Sequence, residues 1–413
     1  MEKLEEVKKV LKKYNQEHLL VCYEKLSEED KKLLLDQILS IDFELMNDLY
    51  EKTKKDIDMG KDEITPIGYV DKSKLSKEEY QKLDNLGTDA IKAGKLAVLT
   101  MAGGQGTRLG YNGPKGTFDL GLDSHKTLFE LMCDTLKEAK EKYDVYVPWY
   151  IMTSNENNKQ TTEFFEQHNY FGYPKEDIKF FIQGELPMIG TDGKVLVNEK
   201  GLIKLAADGH GGVFEAMVKS DVLKDMEKRN IEWIFVGPVD NPLVNMVDSV
   251  LIGLAESKKC TAAGKSVVKA NPEERVGVFC TRNGKPSVVE YTEITSEMAN
   301  QRDDNGELVY GESHINCNLF NIERINAIAK NKLPYHSAFK KAKYIDENGQ
   351  LIESTTPNAY KFEAFIFDAF TSLDSMAILR VKREEEFAPV KNAEGTDSPE
   401  TSRELYKKFH GIK

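Results

Sequence analysis

The chain has 413 residues and a formal net charge of −12, and such an acidic surface repels a phosphate backbone, which argues against general nucleic-acid binding. Apolar residues make up 40% of the chain and charged residues 31%, a balance typical of a globular protein with a sizeable core. No run of about eighteen apolar residues predicts a membrane span, and the charged N-terminus lacks the apolar core of a signal peptide. We therefore expect a cytoplasmic protein without membrane or nucleic-acid partners.

Cysteine usage agrees with a reducing compartment. The count is odd, the spacing is wide and no C-x-x-C pair occurs, which argues against a disulfide framework and against a zinc site. The cysteines are Cys22, Cys133, Cys260, Cys280 and Cys317.

The N-terminal part of the chain is predicted to be helical. Apolar residues recur every three or four positions over residues 1 to about 55, with Lys and Glu between them. The pattern lapses over residues 60–71, and a new helix begins near Ser76, where Ser76 and Glu79 have the spacing of a capping box. These features predict an N-terminal helical segment over residues 1–90.

From Lys95 onward, short apolar runs alternate with helical stretches, a pattern typical of a mixed, mostly parallel sheet with helices on both faces. The predicted strands cover residues 96–101, 145–153, 178–183, 231–236 and 261–268. The predicted helices between them include residues 128–143 and 212–229.

The rest of the chain adds an antiparallel piece and a tail. Residues 276–280 and 287–291 flank an Asn-Gly dipeptide, which favours a tight hairpin turn. The stretch after residue 373 is short and charged, with one helix predicted near residues 401–409. The sequence thus predicts an α/β domain over residues 91–373 and a short C-terminal segment over residues 374–413.

A glycine-rich turn follows the first predicted strand of the α/β domain. Gly103 and Gly104 let the backbone approach a ligand and point N–H groups at phosphate oxygens. Arg108 adds a cation with a fork of donors, and Lys115 in Gly-Pro-Lys-Gly can act as a second phosphate clamp. A glycine cluster alone is more often a tight turn than a nucleotide site.

Two familiar phosphate-binding patterns do not fit this turn. The P-loop pattern G-x-x-x-x-G-K-[ST] is absent. The dinucleotide fingerprint G-x-G-x-x-G matches poorly and carries neither the arginine nor the proline-lysine clamp. The pattern G-G-x-G-T-R followed by P-K instead resembles the signature of nucleotidyltransferases that activate sugars.

The long form of the motif, LTMAGGQGTRLGYNGPKGTFDLGL, resembles the eukaryotic-type UDP-N-acetylglucosamine pyrophosphorylases, part of a wider UDP-sugar pyrophosphorylase group. The resemblance covers nearly the whole chain and continues in WYIMTSNENN, FFEQHNYFGY, FFIQGELPMI, VGPVDNPLV, the 276–294 hairpin, FEAFIFDAF, EEEFAPVKNAEG and DSPETSREL. It implies the Rossmann-like fold of the nucleotide-diphospho-sugar transferases. It also implies a uridylyltransferase that joins UTP and N-acetylglucosamine 1-phosphate and releases pyrophosphate.

The resemblance assigns roles to individual residues. The catalytic cations are Arg108, Lys115 and Lys391. The UTP-binding residues are Gly103, Gly104, Gln183, Gly209 and Lys361. Of these, Gln183 matches a residue that contacts the uracil in the relatives, where an amide can read the donor and acceptor edge of the base. The sugar-binding residues are His210, Gly277, Glu290, Tyr291, His314, Phe365 and Phe367. Asp240, directly after a buried strand, is assigned to Mg²⁺, which prefers one or two carboxylates plus phosphate oxygens.

Several of these residues also have ordinary interpretations. An aromatic residue on a strand, such as Tyr291, usually packs in a core. Phe365 and Phe367 alternate on a predicted strand, which is the usual pattern of core packing. Lys361 belongs to a charged chain in which lysines are usually solvated, and Asp240 without the family match would be a turn or cap residue.

Two positions depart from the family pattern. The related enzymes place Asn where this chain has His210 and His314, and Gly-His-Gly resembles the plant-type UDP-glucose enzymes instead. A pyrophosphorylase acting on glucose or galactose 1-phosphate therefore stays open as an alternative. A non-catalytic nucleotide-sugar binding protein is a third reading, but it predicts loss of the charged clamp, which is present. The relatives continue past the match to Lys391 with a small β structure that often helps them associate, so we expect a monomer.

Overall fold

The computed structural model describes residues 2–55 and 62–412. The start of the predicted break at residues 60–71 and the last residue of the predicted C-terminal segment lie outside these ranges. The helices are α1 (Glu2–Tyr14), α2 (Glu28–Ser40), α3 (Phe43–Thr53), α4 (Lys77–Lys92), α5 (Leu128–Tyr143), α6 (Asn158–Gln167), α7 (Val213–Lys219), α8 (Val222–Lys228), α9 (Ser249–Ser257), α10 (Ser296–Asn300), α11 (Ile322–Asn331), α12 (Arg383–Glu386) and α13 (Pro399–His410).

The strands are β1 (Ile64–Pro66), β2 (Val70–Asp71), β3 (Leu96–Met101), β4 (Trp149–Thr153), β5 (Ile178–Ile182), β6 (Glu185–Pro187), β7 (Ile189–Gly190), β8 (Leu205–Ala207), β9 (Trp233–Pro238), β10 (Ala262–Val268), β11 (Val278–Arg282), β12 (Lys285–Val289), β13 (Glu312–Asn321), β14 (His336–Lys340), β15 (Tyr344–Ile345), β16 (Leu351–Ile352), β17 (Ala359–Glu363) and β18 (Ala377–Arg380). Among the described residues, no helix is both long enough and apolar enough to cross a lipid bilayer.

The chain folds into two compact units, each assembled from separate stretches. The smaller unit comprises the described residues up to residue 55 together with Gly184–Gly212 and Pro334–Phe365. The larger unit comprises the remaining described residues.

The larger unit is built on a mixed sheet in the order β2-β18-β10-β13-β9-β3-β4-β5. Strands β9, β3, β4 and β5 run parallel to one another, as do β10, β18 and β2, whereas β13 runs antiparallel to β10 and β9. Successive residues of β3 face opposite sides. Val98 packs with residues of α4, α5 and α9, whereas Ala97 and Leu99 pack with residues of α7, α8 and α11. The predicted α/β class, with helices on both faces of a mostly parallel sheet, is confirmed.

The predicted hairpin is present as β11 and β12. Asn283 has φ 51° and Gly284 has φ 76°, the left-handed pair that a two-residue hairpin turn requires. The hairpin joins the sheet where Val278 pairs with Ser313 of β13.

The units do not follow the predicted domain boundaries. Helix α4 falls in the predicted N-terminal segment, but its Leu83 and Ile91 pack in the core of the larger unit against α9. Strand β18 falls in the predicted charged tail, but it is a buried parallel strand paired with β10. Its single charge, Arg380, is held by the buried carboxylate of Glu312, with Nε 3.0 Å from Oε1.

In the smaller unit, the helices predicted within residues 1–55 are confirmed as α1, α2 and α3. They bury Leu11 and Ile38 in one cluster with Val197. A ring nitrogen of His18 also lies 2.7 Å from the carbonyl oxygen of Val195. The N-terminal helices thus dock by apolar burial and by hydrogen bonds to one irregular stretch.

Candidate active site

The glycine-rich turn begins at the carboxyl end of the buried strand β3. The side-chain amide of Asn157 holds its start, because Nδ2 donates to the carbonyl oxygens of Ala102 at 2.9 Å and Gly104 at 3.4 Å. Gly104 is exposed, and a Cβ added there would meet no atom within 4 Å. The open backbone at this point is what a phosphate-binding turn needs.

The segment that carries Lys115 folds back onto this turn. The Lys115 N–H donates to the carbonyl oxygen of Gly104 at 3.1 Å, and Gln105 forms a β-bridge with Pro114. The Lys115 ammonium then lies 2.9 Å from Asp240 Oδ2. The structure therefore brings together the glycine turn, the predicted phosphate clamp and the predicted metal ligand.

Asp240 reaches this position because β9 lies beside β3. The two strands are parallel, with Met101 opposite Pro238, so their carboxyl ends meet at the same edge of the sheet. The Asp240 carbonyl oxygen accepts the N–H of Val390 at 2.8 Å, and Lys391 is the residue that follows Val390 in the chain. The Lys391 ammonium itself lies 3.3 Å from Asp397 Oδ2.

The other predicted nucleotide residues occupy different positions. Arg108 lies exposed in the short helical turn Thr107–Leu109 of the larger unit. Gln183 follows β5 and is buried, and a Cβ on Gly103 would lie 2.6 Å from its Oε1. Lys361 lies on β17 of the smaller unit, where its ammonium pairs with Glu363 Oε1 at 2.8 Å. The turn therefore presses directly against the amide that the family resemblance assigns to the base.

Four predicted sugar residues of the larger unit lie together: Gly277, Glu290, His314 and Phe367. The Gly277 carbonyl oxygen accepts the N–H of His314 at 2.8 Å, and a Cβ on Gly277 would lie 3.0 Å from Glu290 Oε1. The His314 ring centroid lies 6.0 Å from that of Phe367. Tyr291 follows the end of β12 and is 46% exposed, so the core role usual for an aromatic residue on a strand does not apply to it.

The smaller unit contains Gly209, His210 and Phe365, and Gly209 lies against the backbone of Ala364 there. Gly209 has φ +88°, and a Cβ there would lie 2.3 Å from the carbonyl oxygen of Ala364, so the position requires glycine. The His210 ring centroid lies 5.4 Å from that of Phe365, which stacks on His336 at 4.8 Å.

The predicted strand through Phe365 and Phe367 is wrong. Strand β17 ends at Glu363, and Ile366–Ser372 forms a 3₁₀-helix. The backbone turns because Ala364 bonds across to Asp208 and Gly211 instead of continuing a ladder, at 2.7 and 2.9 Å. The two rings therefore do not share one face of a strand.

Sequence reasoning missed several residues that support these groups. They are amides and rings that contact backbone or other site side chains: Asn157, Asn241, Asn318 and His336. Asn318 Oδ1, for example, lies 3.1 Å from His314 Nε2. Asn241 follows Asp240 directly in the sequence, and this adjacency is the signal that could have identified it.

Comparisons with known proteins identify a matching family and several relatives. The family model described as UTP–glucose-1-phosphate uridylyltransferase matches residues 40–398. The chain is 40% identical to UDP-N-acetylhexosamine pyrophosphorylase-like protein 1 of Xenopus tropicalis, over 79% of this chain and 66% of that protein. It is 37% identical to the UDP-N-acetylglucosamine pyrophosphorylase of Saccharomyces cerevisiae, over 97% of this chain and 85% of that protein.

A solved structure of a pyrophosphorylase also resembles this chain in fold and in sequence. The uridine diphosphate N-acetylglucosamine pyrophosphorylase of Trypanosoma brucei, crystallised with an inhibitor, superimposes with a TM-score of 0.82 at 30% identity. The match covers 98% of this chain and 84% of that one. The chain therefore belongs to the UTP–glucose-1-phosphate uridylyltransferase family, because the model of that family matches residues 40–398, which is most of the chain.

Proposed function

We propose that this chain is a uridylyltransferase that makes UDP-N-acetylglucosamine and pyrophosphate from UTP and N-acetylglucosamine 1-phosphate. The observation that carries the proposal is the Lys115–Asp240 pair, 2.9 Å apart, at the open glycine turn. Relatives named for this activity support the choice of substrates. The cytoplasmic location and the monomeric state expected from the sequence stay predictions.

The reaction is an in-line displacement at the α-phosphorus of UTP. An oxygen of the sugar 1-phosphate forms the new bond to phosphorus, and the bond to pyrophosphate breaks as pyrophosphate leaves. The attacking phosphate is ionised at neutral pH, since its second pKa is about 6, so no general base is required. Catalysis is then positioning and stabilisation of negative charge.

The cations of the larger unit supply this stabilisation. Arg108 and Gly104 are exposed, so the guanidinium group and the backbone of the turn can meet phosphate oxygens as substrate enters. The Lys115 side chain is 16% exposed, so its ammonium can exchange the Asp240 carboxylate for a phosphate oxygen. The Lys391 side chain is 44% exposed, and its ammonium is proposed to exchange the Asp397 carboxylate for a further phosphate oxygen of the substrates.

Mg²⁺ is proposed as the cofactor, held by Asp240. In the described part of the chain, no group of three or more His, Cys, Asp or Glu side chains could hold a metal by itself. The single carboxylate of Asp240 fits an ion that takes most of its ligands from nucleotide phosphates and water. When bound, the ion supplies positive charge beside the reacting phosphates.

The second candidate is a pyrophosphorylase for glucose or galactose 1-phosphate. His210 and His314 favour it, because the resembled N-acetylglucosamine enzymes have Asn at both positions. His314 is also fixed by Asn318 and by an edge contact with Phe279 at 4.8 Å, so it is a defined part of its surroundings.

The test is pyrophosphate release from UTP and Mg²⁺ with N-acetylglucosamine, glucose or galactose 1-phosphate in separate reactions. Release mainly with N-acetylglucosamine 1-phosphate is the expected result. Release mainly with glucose or galactose 1-phosphate would assign the chain to the second candidate. No release with any of them would reject a uridylyltransferase of these sugars.

A further inference from the structure

Strand β10 carries a buried lysine, Lys265, that has no role in the reaction described above. Lys265 is 0% exposed. Its ammonium lies 2.6 Å from Glu386 Oε2, 2.8 Å from the Asn245 carbonyl oxygen and 2.9 Å from Asp248 Oδ2. Three acceptors match the three N–H donors of an ammonium group, so Lys265 is saturated and has no capacity for a substrate.

The three acceptors belong to two separate stretches of chain. Asn245 and Asp248 lie in the loop that begins at Asp240 and ends at α9. Glu386 begins the stretch that leads to Lys391. The ammonium of Lys265 therefore joins the loop that carries the predicted metal ligand to the stretch that carries a predicted catalytic cation.

Further bonds carry this connection to the catalytic groups themselves. Asn241 Nδ2 donates to the Glu386 carbonyl oxygen at 2.8 Å, and Asn241 Oδ1 accepts the Ala388 N–H at 3.0 Å. The Val390 N–H then donates to the Asp240 carbonyl oxygen at 2.8 Å. The two stretches run side by side from Lys265 to the site.

Stability alone does not account for charges in this place. Burying ions is costly, and well-packed apolar residues often stabilise a fold as well or better than a buried ion pair. A buried ammonium provides three directional bonds, which apolar packing does not. Burial by itself would lower the pKa of Lys265, but the carboxylates of Asp248 and Glu386 raise it, so the charge persists at neutral pH.

We propose that Lys265 is a positioning residue for uridylyl transfer, which sets Asp240 and Lys391 relative to each other by joining Asn245 and Asp248 to Glu386. The inference rests on the proposed function. It assigns Lys265 no contact with substrate.

The test compares two variants with the wild-type protein. Lys265→Met leaves Glu386 buried without its nearest cation, so it should lower both the melting temperature and kcat. Lys265→Met with Glu386→Gln removes that uncompensated charge, while Lys72 still lies 3.0 Å from Asp248 Oδ2. The double variant should regain much of the melting temperature. Its kcat should stay about 10- to 100-fold below wild type, the scale of a misplaced catalytic group, with a smaller change in KM for UTP.

A control separates positioning from general loss of stability. Asp225→Asn weakens another ion cluster of the larger unit, in which Asp225 Oδ2 lies 3.1 Å from Arg229 Nε. It should lower the melting temperature and leave kcat near wild type. If the double variant recovers kcat together with the melting temperature, the positioning role is rejected and the proposed function still stands. A wild-type protein that releases no pyrophosphate would instead reject the proposed function, and the inference with it.

Discussion

Substituting Gly103 by Ala tests the predicted role of Gln183 without changing Gln183 itself. The added Cβ would lie 2.6 Å from Gln183 Oε1 and 3.6 Å from the Ser154 Cβ. The amide oxygen must therefore retreat by about 0.8 Å to reach an ordinary contact of 3.4 Å. A hydrogen bond of about 2.9 Å that lengthens by this amount is effectively lost.

The expected cost follows from that displacement. An amide that no longer pairs with its buried partner loses about 1–3 kcal/mol, which corresponds to roughly 5- to 150-fold in kcat/KM for UTP. The melting temperature should change little, because the crowded atom is the end of a flexible side chain. The substitution should thus separate substrate recognition from stability.

The assay is pyrophosphate release as a function of UTP concentration, with CTP as the competing nucleotide. Gly103→Ala should lower kcat/KM for UTP and narrow the preference for UTP over CTP. Gly68→Ala is the matched control, because a Cβ there would meet no atom within 4 Å. An unchanged kcat/KM together with an unchanged preference would refute the role of Gln183 in reading uracil.

Three further predictions concern charge, metal and pH, and a fourth concerns the sugar. Lys115→Ala should cut turnover by about two to three orders of magnitude, the scale of losing one preorganised charge donor, and near-normal pyrophosphate release would remove Lys115 from this role. EDTA should abolish pyrophosphate release and added Mg²⁺ should restore it, whereas unchanged turnover in chelator would contradict the metal assignment. Burial lowers the pKa of His18, so the folded state favours the neutral ring and loses stability as the pH falls below the ordinary pKa of about 6.5. Between about pH 7.5 and pH 5.5, the melting temperature should therefore drop by more in the wild-type protein than in His18→Gln. Equal drops in the two proteins would show that other groups are responsible. His210→Asn combined with His314→Asn should raise the preference for N-acetylglucosamine 1-phosphate over glucose 1-phosphate, and an unchanged ratio in the same assay would remove both residues from sugar selection.

Local patterns of the sequence predicted much of the larger unit. The helix predicted over residues 128–143 is present with those bounds, because Thr127 and Glu130 form a capping box and Asp144 ends it with φ 59°. The helix predicted over residues 212–229 is instead two helices, since Asp221 takes φ 59° between them. An aspartate tolerates this left-handed conformation, but nothing in the apolar periodicity marks it.

Long-range partners account for what the sequence could not predict. Strand β18 looks like part of a charged tail until its neighbour β10 and the carboxylate of Glu312 are known. The turn at Ala364 depends on bonds to Asp208 and Gly211, far away in the chain. Periodicity reports which face of an element is apolar, and it does not report which element covers that face.

Lys115, a proposed catalytic cation, and Lys265, a proposed positioning residue, show why residue type alone could not separate the two roles. The Lys115 side chain is 16% exposed, and its ammonium contacts one carboxylate oxygen, so it can accept a phosphate without leaving a buried charge behind. Lys265 is fully buried with three acceptors, and giving up the Glu386 carboxylate would leave a buried charge without its nearest cation. A cation that must exchange partners during turnover therefore needs partial solvation, whereas a cation that must fix two stretches of chain needs full burial. That distinction depends on burial, which only the folded chain defines.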